Sequence, residues 1–262
     1  MFMRRRTPRL LIAAIVACIG LAPAQAWAQQ DNEWDFTLAP LYLWAMETNG
    51  TLTAGSRTVP VFLDFADAAD HLGGAFSFHF EARKDRWGGF ADLNFVRLSS
   101  ESTFTIPVGS QTRTIEGDFD MGIRFFEVGA SYLVHEPAKV GIIGGLRTYT
   151  LSPELEFEAG ALEVTPIDAS RTSTDGFVGV TLRPALSPRW TLISRADIGG
   201  GSAEFTWSAM LGFEFRFRPT VGLIFGYKAL GIDVGSNDDE PVREYDMTHY
   251  GPIFGLNLHW GR

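Results

Sequence analysis

Three observations predict an all-β fold, an up-and-down antiparallel transmembrane β-barrel of about ten strands. Apolar and polar residues alternate with a period of two over many segments, and short turn sequences separate these segments. After the first 28 residues, no stretch has 18 consecutive apolar residues, so no transmembrane helix is expected there. Without helices, a membrane protein must close its strands into a barrel, because every backbone polar group needs a partner in lipid.

The first 28 residues have the order of a secretory signal peptide. Four arginines precede an apolar run from Leu10 to Leu21, and the small residues around Ala26 and Ala28 form an A-x-A cleavage site. The apolar run is shorter than the roughly 20 residues that a membrane-spanning anchor needs. We therefore expect residues 1–28 to be removed by cleavage after Ala28, with Ala26 as the alternative. Residues 29–262 then form the barrel domain.

Two other export signals overlap this segment. Ile15-Val16-Ala17-Cys18 resembles a lipobox, whose cleavage would leave a lipidated Cys18 at the N-terminus. The arginines at 4–6 are reminiscent of a twin-arginine signal, but barrel precursors cross unfolded and that route transports folded cargo. Cys18 is the only cysteine, so a chain cleaved after Ala28 has no thiol for a disulfide, a metal site or a nucleophile.

The predicted mature chain is strongly acidic. The full chain has a net charge of −9, and removal of the four leader arginines leaves 18 basic and 31 acidic residues, a net charge of −13. At that charge nucleic acid is not expected as a partner. The acidic residues concentrate in or near the long connections, whereas the tight turns contain lysine and arginine.

Ten strands account for the alternating segments, with eight or twelve as the alternatives. The predicted ranges are 33–47, 74–84, 87–105, 112–134, 139–157, 164–186, 189–200, 203–217, 220–235 and 243–260. The tight turns are predicted at 84–86, 136–138, 187–188 and 218–220, and the longer connections at 48–73, 106–111, 158–163 and 236–242. The first long connection is predicted to contain a hairpin from Val59 to Leu63 and a helical turn from Asp67 to Leu72. Short periplasmic turns and long external loops are typical of outer-membrane barrels.

Alternation alone leaves open which face is outside, because a soluble sandwich or lipocalin-like barrel would turn the Phe and Leu face inward. The tryptophans favour the membrane arrangement. All six that follow the leader fall near predicted strand ends, where amphipathic rings rest at membrane interfaces. The predicted aromatic girdles consist of Trp34, Trp87, Trp190 and Trp260 at the tight-turn end, and Trp44 and Trp207 toward the long-loop end.

The polar face of the predicted strands contains both signs of charge in nearly equal number. Buried charges are tolerated only when they are paired and hydrogen-bonded. We therefore predict a plugged, salt-bridged lumen rather than an open pore. The predicted lumen network comprises His79, Glu81, Arg83, Asp92, Glu127, Arg147, Arg183, Arg195, Asp197, Glu214, Arg216 and Lys228.

Several motifs resemble a group of small Gram-negative outer-membrane β-barrel proteins with no assigned activity. They are Trp34-Asp35-Phe36 with Pro40 and Tyr42-Leu43-Trp44, then Phe78-His79-Phe80-Glu81-Ala82-Arg83 and Arg86-Trp87-Gly88-Gly89-Phe90-Ala91-Asp92-Leu93. The resemblance covers the mature length and implies location in the cell outer membrane. Outer-membrane lipid and lipopolysaccharide are then the expected partners, with the barrel assembly machinery during biogenesis. One departure is that Trp260 is followed by Gly261 and Arg262, whereas such barrels usually end on an aromatic residue.

Three groups of residues contain the side-chain types that a catalytic or metal site needs. Ser77, His79 and Glu81 lie on one strand face in the order of a nucleophile, a base and an orienting acid. Their alternate spacing of roughly 6.5–7 Å gives poor hydrogen-bond geometry, so they are interpreted as part of the lumen network.

The other two groups are near the predicted outer ends of strands. Asp70-His71, and Asp246 with His249, are similar to the acid–histidine pairs of barrel proteases, but the Asp-x-His spacing is missing. The acidic run 237–240 offers oxygen ligands for Ca²⁺ or Mg²⁺ but has no EF-hand pattern. The sequence thus predicts no catalytic residue, no cofactor and no metal site.

The functional expectation is a structural or surface-interaction barrel with long acidic external loops, and not an enzyme. The alternative is a narrow or gated channel for small solutes, and a less favoured one is a barrel-embedded hydrolase. The ligand and the oligomeric state are left open by the sequence.

Overall fold

The computed structural model describes residues 34–54, 57–63, 72–108, 111–158, 167–168, 171–235 and 242–261. These residues belong to one compact unit, Glu33–Arg262. The predicted signal peptide lies outside the described residues. Within the described ranges no helix has the length and apolar character needed to cross a membrane.

The described residues form thirteen strands. They are β1 (Asp35–Trp44), β2 (Glu47–Ala54), β3 (Arg57–Leu63), β4 (Leu72–Lys84), β5 (Trp87–Val108), β6 (Gln111–His135), β7 (Val140–Glu158), β8 (Ile167–Asp168), β9 (Arg171–Leu182), β10 (Trp190–Gly201), β11 (Phe205–Arg218), β12 (Val221–Val234) and β13 (Val242–Trp260).

Ten of these strands close into one antiparallel barrel. The order is β1-β4-β5-β6-β7-β9-β10-β11-β12-β13, and β13 pairs back onto β1. The register at the closure places Phe36 opposite Trp260 and Trp44 opposite Ile253. β2 follows β1 in the chain and pairs with the same strand, β13. β3 then forms a hairpin with β2. The closed ten-strand, up-and-down topology confirms the predicted fold class.

The apolar face of the strands is the outer surface. On β11, Phe205, Leu211 and Phe217 are exposed, whereas Thr206 and Glu214 are buried inside. Leu211 has an exposed fraction of 57%, too high for a core residue of a soluble protein. The alternative with the Phe and Leu face turned inward is therefore wrong, and the exterior has the apolar character of a lipid-facing band.

Three predicted segments differ from the observed strands. The connection predicted at 106–111 is only 109–110 long, because the β5–β6 ladder continues to the pair Val108 and Gln111. The strand predicted at 164–186 is β9, which ends at Leu182, since Pro184 lacks the backbone donor that a ladder requires. Part of the connection predicted at 48–73 is strand β2, paired with β13 from Glu47 to Ala54. The hairpin expected from Val59 to Leu63 falls on β3, and most of the predicted helical turn lies outside the described residues.

The largest correction concerns Trp44, which lies inside the barrel and not in a girdle. The β1–β13 register shifts between Leu38 and Leu41, so Ala39 and Pro40 form a bulge. One extra residue switches the face of every later side chain. Leu43 therefore points outward, and Trp44 is buried with an exposed fraction of 4%. Proline supports this position because it cannot donate to the ladder.

This placement predicts different lipid access for two tryptophans. We expect brominated lipids to quench the fluorescence of a variant that keeps only Trp87, whose exposed fraction is 65%, and to leave a variant that keeps only Trp44 almost unquenched. The other tryptophans are changed to Phe in each variant, and the two spectra are compared in the same vesicles. Equal quenching of both variants would show that Trp44 is exposed to lipid on the outer face, and would contradict its burial.

Candidate functional site

The centre of the barrel interior contains a cluster of buried ion pairs, and Arg147 lies at its middle. Its Nε donates to Glu127 Oε1 at 2.7 Å, and its Nη2 donates to Asp197 Oδ1 at 2.7 Å. These residues come from β7, β6 and β10, so the guanidinium joins side chains of three strands along the inner wall. Arg147 is completely buried, with an exposed fraction of 0%. Planar guanidinium donors suit such a fixed, double contact with carboxylates.

Arg195 and His79 extend the central cluster toward the neighbouring strands. Arg195 donates through Nε to Asp197 Oδ2 at 2.8 Å, and its Nη1 is 2.8 Å from Glu127 Oε2. His79 Nδ1 is hydrogen-bonded to Asp92 Oδ1 at 2.8 Å, and Asp92 Oδ2 lies 4.0 Å from Arg195. Six of the predicted network residues are thus linked in one chain of contacts.

Two buried aromatic rings support the guanidiniums of this cluster. The Arg195 guanidinium carbon lies 5.2 Å from the ring centre of Phe90 and 5.0 Å from that of Phe177. Arg147 lies 5.0 Å from Phe177. Phe90 and Phe177 pack with Ile143 inside the barrel. The rings offer their negative faces to the cations and fill space that water would otherwise occupy.

A second cluster lies nearer the tight-turn end. Glu81 accepts hydrogen bonds from Arg83 Nε at 2.7 Å and from Arg183 Nη1 at 2.6 Å. His79 Nε2, at 3.9 Å from Glu81, connects this cluster to the central one. Arg183 follows β9 directly, so it reaches Glu81 from the opposite wall of the lumen.

A third cluster surrounds Glu214 at the same end. Glu214 accepts a hydrogen bond from Asn257 Nδ2 at 3.0 Å, contacts His259 Nε2, and lies 3.4 Å from Arg216. His259 Nδ1 is 3.1 Å from Thr37 Oγ1, so the contacts pass from β11 through β13 to β1. Asn257 and Thr37 were not among the predicted residues, although both lie on the polar face of their strands.

Lys228 takes a different place from the rest of the predicted network. Its ammonium lies 4.7 Å from the ring centre of Trp44. It therefore sits at the boundary between the ion pairs and an apolar layer that begins with Trp44.

An apolar layer that the alternation pattern did not predict occupies the long-connection half of the interior. The buried side chains of this layer are Ala39, Tyr42, Trp44, Met46, Ile123, Phe125, Tyr149, Ala203, Leu230, Ile232, Val234, Met247 and Ile253. One signal was available on β12, where the apolar positions change from odd numbers such as Phe225 to the even numbers Leu230, Ile232 and Val234. The ion pairs thus lie toward the tight turns, and the apolar layer lies toward the long connections, together with buried polar residues such as Thr206 and His249.

Asp175 is a further buried acid that the sequence did not single out. It accepts hydrogen bonds from the Tyr149 hydroxyl at 3.0 Å and from the backbone N–H of Ala203 at 2.9 Å. The second contact holds the β10–β11 connection against the lumen. Asp175 lies in a run of polar residues on both faces of β9, so alternation gave no indication of its burial.

A few buried polar atoms have no hydrogen-bond partner among the described residues. Trp44 Nε1, Asn94 Oδ1 and Thr206 Oγ1 are examples. Buried groups of this kind usually bind ordered water.

The residues considered for catalysis are not arranged as catalytic groups. His79 is turned toward Asp92 and Glu81, and its two ring nitrogens are aimed at these acids rather than at Ser77. Asp246 is exposed on the outer face of β13, whereas His249 is fully buried inside, 2.9 Å from Thr48. Asp70, His71 and the acidic run 237–240 lie outside the described residues. In the described part of the chain, no group of three or more His, Cys, Asp or Glu side chains is arranged so that it could hold a metal ion.

Five of the predicted girdle tryptophans lie on the outer surface. Trp34, Trp87, Trp190 and Trp260 are exposed at the tight-turn end. Trp34 stacks on Phe36, Phe36 stacks on Trp260, and Trp87 lies 4.8 Å from Tyr132. At the other end Trp207 covers Gly231, where no side chain could fit beneath the indole. Of the two tryptophans predicted for the girdle at the long-connection end, Trp207 therefore lies on the outer surface and Trp44 does not.

The chain is similar in fold to solved bacterial outer-membrane barrels. The outer-membrane protease OmpT from Escherichia coli is 10% identical, covers 91% of this chain and 100% of its own, and gives a TM-score of 0.45. The translocator domain of the autotransporter NalP from Neisseria meningitidis is 11% identical, with 94% and 93% covered and a TM-score of 0.43. The attachment invasion locus protein Ail of Yersinia pestis is 10% identical, with 88% and 100% covered and a TM-score of 0.38.

No family model and no curated protein matches the chain. At these identities and TM-scores the similar structures support no inference about activity or ligand. The barrel assignment therefore depends on the strand pairing and the apolar exterior of this chain.

Proposed function

We propose that this protein is a closed, non-conducting outer-membrane barrel with a structural or surface-interaction role. The observation that supports this most is the complete burial of Arg147 between Glu127 and Asp197 at mid-barrel. A guanidinium held by carboxylates of two other strands, with Arg183 and Glu81 meeting from nearly opposite walls, ties the lumen together rather than lining an aqueous path. The proposed role includes no enzymatic activity and no cofactor.

Two layers in series support a plugged lumen. A solute crossing the barrel would have to separate the ion pairs around Arg147 and then pass the packed layer that includes Phe125 and Leu230. Removing one partner of a buried ion pair lowers stability by about 3–5 kcal/mol, so separating these pairs presents a large energy barrier. Because the two layers lie one after the other along the barrel, a solute can cross only if both the ion pairs and the apolar side chains move aside.

Conductance in planar bilayers tests this proposal. We expect the purified barrel, shown to be folded by faster migration on unheated SDS gels, to give no discrete conductance steps. A general porin inserted into the same bilayer provides the control for sensitivity. Regular steps from the folded protein would refute the closed lumen.

A narrow water-filled channel remains the second candidate, because of the unpartnered atoms Trp44 Nε1, Asn94 Oδ1 and Thr206 Oγ1. Waters bound to these atoms would form the start of a path around Lys228. Small steps that grow when Trp44 is changed to Ala would favour this candidate. The hydrolase alternative has less support, since His79 engages Asp92 and not Ser77.

We also propose the location and the partners. The protein is exported by a cleaved signal peptide, assembled by the barrel assembly machinery and embedded among outer-membrane lipid and lipopolysaccharide. The long connections then face outward and the tight turns face the periplasm.

A further inference from the structure

Two exposed arginines lie close together on the rim of the barrel at the tight-turn end. Arg189 directly precedes β10, and Arg218 is the last residue of β11. The backbone oxygen of Arg189 accepts a hydrogen bond from the N–H of Arg216 at 2.8 Å, which places Arg189 beside the end of β11. Arg218 is two residues further along, about 7–8 Å from Arg189 at the diagonal spacing of paired strands. The two guanidiniums are therefore within reach of one shared ligand.

Both guanidiniums are available to an external anion. Within the described ranges, the side chains of Arg189 and Arg218 make no ion pair and no hydrogen bond. Two lysines of other tight turns, by contrast, already have partners. Lys139 lies 2.5 Å from Glu136, and Lys84 lies over an indole ring, 5.9 Å from its centre.

The surroundings of the arginine pair contain almost no acid. The tight-turn halves of β9 to β13 fall in residues 176–196, 205–232 and 247–262, where Glu214 is the one acidic residue. Glu214 is buried in the lumen and is already bound by Asn257 and His259. The chain as a whole has a net charge of −9. The positive charge of the pair is thus uncompensated on this arc of the rim, although the rest of the protein is acidic.

The connections that contain the two arginines are held in place. The Ser187 hydroxyl accepts a hydrogen bond from the backbone N–H of Trp190 at 3.2 Å. Pro188 directly precedes the first arginine and Pro219 directly follows the second, and each proline ring fixes its own φ angle. A backbone that is ordered before binding loses less entropy when a ligand arrives.

An aromatic surface continues from the arginines into the lipid-facing band. Trp190 and Phe217, the chain neighbours of the pair, are exposed, and so is Leu186 in the β9–β10 connection. The ring centre of Trp190 lies 4.9 Å from that of Phe215 and 5.9 Å from that of Phe225. A soluble anion would make no contact with this surface, whereas the acyl chains of a lipid would pack against it.

We propose that Arg189 and Arg218 form a binding site for the phosphate of an anionic glycerophospholipid in the periplasmic leaflet. The guanidiniums hold the phosphate through charge-assisted hydrogen bonds, and the acyl chains lie over Trp190 and Phe217. The site rests on the proposed outer-membrane placement, in which the tight turns face the periplasm.

Native mass spectrometry of the folded barrel in detergent tests the site, with dioleoyl phosphatidylglycerol and dioleoyl phosphatidylcholine as the probes. We expect the unchanged protein to prefer phosphatidylglycerol, because the choline cation compensates the phosphate of the other lipid. Arg189→Gln/Arg218→Gln should bind phosphatidylglycerol at least about tenfold more weakly and lose this preference. Its binding of phosphatidylcholine should stay unchanged.

The matched control is Lys84→Gln/Arg86→Gln, which removes the same charge from the turn that contains Asp85 and should keep the preference. Equal loss in the two double variants would indicate general charge attraction and overturn the proposal. Glycerol 3-phosphate that binds as tightly as the lipid would assign the arginines to a soluble anion and also overturn it. Unchanged lipid binding with loss of binding to purified cell-wall sacculi would overturn it in favour of the wall. Heat-dependent gel migration of every variant reports folding, and conductance tests the closed lumen separately.

Discussion

Replacement of Arg147 by Met is expected to lower the free energy of unfolding by about 3–5 kcal/mol, because the buried Glu127 and Asp197 would then share Arg195 as their one remaining cation among these contacts. Methionine keeps much of the volume of the side chain, so the loss reports charge rather than a cavity. Urea unfolding of the barrel in lipid vesicles, followed by tryptophan fluorescence and by gel migration, measures the change.

An exposed ion pair supplies the control for Arg147→Met. Lys139 lies 2.5 Å from Glu136 in a tight turn, with side chains 50% and 46% exposed. Lys139→Met should therefore change stability by no more than about 1 kcal/mol. Neutralising one acid together with Arg147, by Glu127→Gln, should recover part of the loss, because Arg195 then pairs with Asp197. A cost below about 1 kcal/mol for Arg147→Met alone would indicate a well-hydrated interior and favour the narrow channel.

Gly145→Val is expected to prevent formation of the heat-modifiable barrel. Gly145 points inward and lies directly opposite Gly129 on β6. A Cβ atom at Gly145 would collide with the backbone oxygen of Val128 and come within 2.9 Å of the Phe177 ring. The backbone of β6 cannot withdraw without breaking its ladder, so we expect a loss above about 3 kcal/mol. The fraction of fast-migrating protein on unheated gels measures the result.

The neighbouring glycine provides the matched control. Gly144 points outward, and a Cβ atom there would meet its nearest neighbour, the Phe177 backbone oxygen, at 3.4 Å. Gly144→Val should fold as the unchanged protein does, since valine suits both a strand and a lipid-facing surface. Similar folding of both valine variants would show that the close approach of β6 and β7 at Gly129 and Gly145 is not required.

Much of the barrel could be predicted from alternation and turn residues. The faces of β4, β11 and β13 were assigned correctly because each has an uninterrupted period of two. The tight turns were found because Lys84-Asp85-Arg86 and Arg218-Pro219-Thr220 interrupt that period with turn-forming residues. The charged residues of the interior were named as a set, since few other places on a membrane barrel accept paired charges.

Errors arose where a single residue changed the period. The bulge at Ala39 and Pro40 moved Trp44 from the predicted girdle to the interior. A prediction that assumes strict alternation along a strand assigns every residue beyond a bulge to the wrong face, because the bulge shifts the alternation by one residue.

On β12 the phase stays the same, because the even positions face inward from Gly222 to Val234. What changes there is the character of the inward side chains, from Lys228 to the apolar Leu230 and Ile232.

The sequence by itself predicted a barrel of about ten strands and the polar face of most strands, because alternation depends only on neighbours along the chain. The strand pairing then decided for ten strands over eight or twelve, and the exposure of the Phe and Leu face decided that this face is the exterior. The tertiary structure alone decided that Arg147 meets Glu127 and Asp197 and that Glu81 meets Arg183. Those contacts join residues up to 102 positions apart. They are set by strand order, stagger and closure, which bring together side chains whose local sequences contain no information about each other.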